Sequence, residues 1–187
     1  MHEKCYRLSE STAITYENST QIFEQCFAHA NYFTLTQQTS YFCGYERVFN
    51  KPSVFPKGLI DNFIAEILTA NWHCFQIFDF DKETGKPLLP FAGLRVSLFK
   101  ATEQAKKAIL QNANNIFFTI ESAEDICFFA NNQLFLGTLS HEFMCNFYPQ
   151  TVEMFEQFSK YAIWQEYSRL LGEKILLSDF FGETIGE

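Results

Sequence analysis

Residues Ile126 to Leu139 read ICFFANNQLFLGTL, two apolar runs separated by a single pair of asparagines. Asparagine tolerates the left-handed backbone that a two-residue hairpin turn requires, so Asn131-Asn132 predicts a tight antiparallel hairpin between Ile126–Ala130 and Gln133–Leu139. A hairpin is not stable alone and needs further strands and a covered face. Aromatic and β-branched residues supply candidates at 32–37, 40–49, 72–80, 91–99, 116–120 and 142–148. Apolar residues at helical spacing predict helices over 19–30, 57–70, 101–111 and 151–171, the last capped by Thr151. That last segment is apolar on more than one side of the helical wheel, and the tail adds an apolar knot at Ile175–Leu177, Phe180 and Phe181. Strands joined by hairpins, with helices between groups, give an α+β fold with a mainly antiparallel sheet and about four helices packed on it. With 187 residues, no internal repeat and no linker composition, residues 1–187 are expected to form one domain.

Hydrophobic residues make up 47% and charged residues 19% of the chain, a globular balance well away from disorder. Most of the 23 phenylalanines belong to the core on this reading. No apolar run approaches the roughly 20 residues that a membrane helix requires. The N-terminal stretch lacks the apolar region of a secretory signal, and the six cysteines are scattered without a CxxC pair. A cytoplasmic chain with reduced cysteines is the expectation.

The net charge is −8, and its distribution is uneven. No lysine or arginine occurs from Leu8 to Glu46 or from Ala108 to Ser159, and the second stretch carries Glu121, Glu124, Asp125, Glu142, Glu153 and Glu156. A fold that brings these segments together has an acidic face, which repels nucleic acid and anionic membranes and attracts basic proteins. The leading expectation is a non-catalytic binding protein that caps a basic partner, for instance an immunity protein that inhibits a cationic toxin nuclease. Glu121, Glu124, Asp125 and Glu142 are the candidate contacts, with Trp164 and Tyr167 as aromatic anchors.

Three stretches invite a catalytic reading. Asp79-Phe80-Asp81 ends an apolar run and is similar to the DxD of haloacid-dehalogenase-type phosphatases, but Glu83 stands where that family has Thr or Val. As a calcium loop it has Thr84 and Pro90 where glycine and an acid are needed. His141-Glu142 begins an HExxH pattern that ends in Cys145 rather than histidine. Cys127 and His141 sit on neighbouring predicted strands and make a possible thiol–imidazole pair. His73-Cys74 reads as strand packing. No glycine-rich phosphate loop and no nucleophile elbow is present, and neither a cofactor nor a resident metal is expected. The alternative function is a small hydrolase using Asp79 and Asp81 with a divalent metal, or Cys127 with His141. A structural or small-ligand module is a third reading.

Overall fold

The computed structural model describes residues 4–43, 46–69, 71–73, 75–76, 93–167 and 175–182. Its helices are α1 (Tyr16–His29), α2 (Lys57–Ile60), α3 (Glu103–Asn112), α4 (Val152–Phe158) and α5 (Ser178–Phe181). The strands begin with β1 (Tyr6–Leu8), β2 (Tyr32–Gln38), β3 (Ser40–Cys43), β4 (Glu46–Phe49), β5 (Phe63–Thr69) and β6 (Asn71–Trp72). They continue with β7 (Phe75–Gln76), β8 (Leu94–Lys100), β9 (Glu124–Ala130), β10 (Gln133–Leu139), β11 (Met144–Phe147) and β12 (Trp164–Glu166). Eight strands form one sheet in the order β12-β1-β11-β10-β9-β2-β8-β5, antiparallel at every described pairing. The fold is thus a single antiparallel sheet with helices, an α+β domain.

The sheet is covered on both faces. On one, Ile22, Phe23, Cys26 and Phe27 of α1, Ala105 and Ile109 of α3, and Met154 and Phe158 of α4 pack onto Phe33, Leu35, Phe128, Phe135 and Phe147. Threonines at 15, 102 and 151 cap α1, α3 and α4, each accepting from a backbone N–H three residues on. On the other face Trp72, Leu94, Val96, Leu98, Cys127, Phe129, Leu134 and Leu177 form a second cluster, with Phe180 and Phe181 against it. The C-terminal apolar knot docks there.

The β9–β10 hairpin forms as expected, with both asparagines left-handed (φ 48° and 69°). Several other expectations are corrected. The helix expected over 57–70 stops at Ile60, and Phe63–Thr69 becomes an edge strand on β8. The Asn62 amide donates to the Gly58 carbonyl (2.8 Å) and closes the turn, while the Asn62 carbonyl accepts from Lys100 N–H and starts the ladder. A bulge between Phe63 and Ala65 lets apolar residues at helical spacing fit a strand.

The long C-terminal helix ends at Phe158. The chain turns and returns as β12 on β1, so the two apolar stripes belong to two different elements. The strand expected over 40–49 is itself a hairpin, β3 on β4. Of the strand expected over 72–80, residues 77–80 lie outside the described residues, and the part before them folds back after Trp72, with His73 left-handed (φ 50°) and Trp72 opposite Phe75. Residues 116–120 bury Ile116, Phe118 and Ile120 alternately but, among the described residues, pair with no strand and only bridge Ile120 to Ala123. Residues 140–142 form a 3₁₀ turn ahead of β11. No helix among the described residues is long and apolar enough to cross a membrane.

Candidate functional site

Of the four candidate acids, Glu124, Asp125 and Glu142 gather around His141, and Glu121 lies in the turn before β9. Glu121 and Ser122 (φ 49° and 70°) make a two-residue turn closed by reciprocal bonds between Ile120 and Ala123, both 2.8 Å. Gln37 of β2 anchors this turn by donating to Ser122 Oγ (2.7 Å), and Ser53 Oγ donates to the Glu121 carbonyl. β9 then enters the sheet through a bulge. Thr34 lies opposite Cys127 but Thr36 lies opposite Glu124, leaving one extra residue, and Asp125 takes a left-handed backbone (φ 50°). A bulge re-aims the side chains around it, so neighbouring Glu124 and Asp125 need not point to opposite faces.

Asp125 is 5% exposed. Its Oδ1 accepts from the Ser140 N–H (2.5 Å), and its own N–H donates to Ser140 Oγ (3.3 Å). Burial pushes its carboxyl up to about 6 and the Glu124 charge adds to that, against the Ser140 N–H and the His141 ring, which favour the carboxylate. His141 follows in the 3₁₀ turn, with Nδ1 3.8 Å from Glu124 Oε1 and Nε2 3.9 Å from Glu142 Oε1. One donor atom from each of Glu124, Asp125 and His141 lies within 4.8 Å of the others.

Phe143 ends the turn. It is 76% exposed with φ 51° and ψ 36°, and its ring stands edge-on to Phe117 at 5.7 Å. A bulky residue in the left-handed region is uncommon. Sequence reasoning missed Phe143, since nothing in HEFMC separates an exposed phenylalanine from a core one.

The proposed anchors lie elsewhere. Trp164 is a core residue, 8% exposed with its ring centroid 4.9 Å from Phe147, and it belongs to a strand rather than a helix. Burial leaves it little ring to offer a partner. Tyr167 is half-buried, with the Arg7 guanidinium 4.0 Å from its ring centre. Asp79 and Asp81 lie outside the described residues.

Cys127 faces the second cluster and is fully buried. The imidazole seated beside it is that of His73: a methyl group added at Gly137 would stand 2.7 Å from His73 Nε2 and 3.1 Å from Cys127 Sγ. Burial pushes the His73 ring down to about 4, opposed by a bond to the Thr138 backbone and helped by the Arg7 charge. A ring held neutral so far below its usual range is a weak base for a thiol.

Protein-family models, curated proteins and solved structures contain no match to this chain.

Proposed function

We propose that this chain is a non-catalytic binding protein whose acidic sheet end docks a basic protein partner, with an immunity protein neutralising a cationic toxin nuclease as one instance. The observation that carries the reading is Phe143, an exposed, left-handed aromatic ring next to Glu142 and on the same 3₁₀ turn as His141, which faces Glu124. Interfaces are held by aromatic anchors and steered by charge around them. Phe143 takes the anchoring role that the sequence assigned to Trp164 and Tyr167, while Glu121, Glu124 and Glu142 supply the surrounding charge. Only the thiol version of the alternative hydrolase is weakened, because Cys127 is fully buried beside a His73 ring held neutral.

The test is capture of a basic protein by the tagged chain at low salt, repeated with Phe143→Ala and with Glu142→Lys. The reading expects one cationic partner that salt releases and both variants lose, the first by roughly tenfold or more in affinity, as for an anchor residue. Binding indifferent to salt and to both variants would sink it.

A further inference from the structure

The Glu124–Asp125–His141 constellation has a feature that a docking surface does not need. Two carboxylates and one imidazole are brought together by a bulge in β9 and by the 3₁₀ turn that follows β10, with one donor atom of each inside 4.8 Å. Among the described residues no lysine or arginine forms an ion pair with Glu124 or Asp125, and the ring of His141 stands with its Nδ1 3.8 Å from Glu124 Oε1. Two adjacent carboxylates, one of them buried, repel each other unless a cation or a proton lies between them.

A second observation comes from the neighbouring strand. Thr36 stands directly opposite Glu124 in the β2–β9 register, 2% exposed, and its Oγ1 is buried with no hydrogen-bond partner in the protein. Residues opposite one another in an antiparallel pair present their side chains to the same face. The orphan hydroxyl therefore sits on the Glu124 side of the sheet, where a bound ion carrying water would satisfy it. Buried hydroxyls without partners are rare and call for such an explanation.

The third feature is the far nitrogen of the ring. While Nδ1 of His141 faces Glu124, Nε2 faces Glu142. A carboxylate at the second nitrogen of a metal-bound histidine fixes its tautomer and raises its basicity.

We propose that Glu124, Asp125 and His141 bind a first-row transition dication, with Glu142 orienting the imidazole and Thr36 facing the ion's water. The donor set selects the class: an imidazole with two carboxylates suits zinc or manganese, whereas magnesium and calcium favour oxygen alone. Glu124 and His141 are partly exposed, so their side chains have room to close around an ion until each donor reaches the about 2.0–2.2 Å bond that zinc makes. The site does not rest on the docking reading and is measured without any partner.

The experiment is calorimetric titration of chelator-treated protein with Zn²⁺, Mg²⁺ and Ca²⁺ in turn, followed by melting with and without Zn²⁺. The expected result is one equivalent of Zn²⁺ bound at micromolar concentration with a raised Tm, and no comparable heat from Mg²⁺ or Ca²⁺. His141→Ala and Glu124→Gln, both at partly exposed positions, should each weaken Zn²⁺ by more than tenfold, and Glu142→Gln by less than either. Glu156→Gln, outside the cluster, should leave it unchanged. Substitution of Asp125 is avoided because its carboxylate also holds Ser140. No Zn²⁺ binding below millimolar concentration, or binding that survives both His141→Ala and Glu124→Gln, would overturn the site. Either result leaves the salt-dependent capture of a basic partner to be judged separately.

Discussion

Phe143 keeps a large apolar ring in water and a left-handed backbone at once. Both are unfavourable, the backbone by about 1 kcal/mol or more relative to a residue that adopts it readily. Asparagine adopts it readily. Phe143→Asn should therefore leave the fold intact and raise its stability by up to about 1 kcal/mol in urea unfolding, while abolishing capture of the basic partner. A variant that loses stability instead would show that the Phe117 contact outweighs the strain, making the ring a structural element. Glycine matters at one nearby position. Gly137 leaves the space into which the His73 ring fits over Cys127, which side chains larger than hydrogen would fill.

Among the elements, Thr151 alone of the three threonine caps was legible in the sequence. Thr102 Oγ1 accepts from Ala105 N–H and also donates to Asn62 Oδ1 (2.9 Å), so it ties the start of α3 to the turn before β5. Thr15 caps α1 without such a second tie, accepting only from Asn18 N–H among its side-chain bonds with described residues. Thr15→Ala should cost about 1 kcal/mol and Thr102→Ala about 1 kcal/mol more. Equal costs in denaturant melts would deny the Asn62 bond any energetic role. The α1 stripe of Ile22, Phe23, Cys26 and Phe27 and the Asn-Asn turn were legible because local pattern and tertiary use agree there. Residues 63–69 and 164–166 were misread because their partners, β8 and β1, are remote in sequence, and periodicity carries no trace of a distant strand. The acidic cluster was legible as a charge pattern. That Asp125 would be bulged toward His141 was not, since the bulge arises from the register of β2 on β9. Trp164 looked like an anchor only while it was assigned to a helix.

At the scale of the whole molecule, the buried His73 ring links stability to acidity. The unfolded chain takes up a proton on this ring near its ordinary 6.5, while the folded chain holds the ring neutral until about 4. A depressed histidine contributes stability that is fully present above pH 6.5 and is lost as pH falls through 4, at most about 3 kcal/mol. Asp125, raised to about 6, works in the opposite sense: its contribution is present below about 4 and fades as pH rises through 6. Comparison of the chain with His73→Asn, whose side chain tolerates the left-handed backbone and does not titrate, isolates the histidine. The variant's unfolding free energy should fall less steeply between pH 6.5 and 4, and parallel profiles would refute the linkage. The strand order carries another consequence, one of timing. Among the described residues β1 pairs with β11 and β12, and the Arg7 side chain donates to Asn146, 139 residues further on. A ribosome delivers the chain in sequence order, so Tyr6–Leu8 waits without either sheet neighbour until β11 and β12 have been made. It is made before β2 to β10 and takes its place after them.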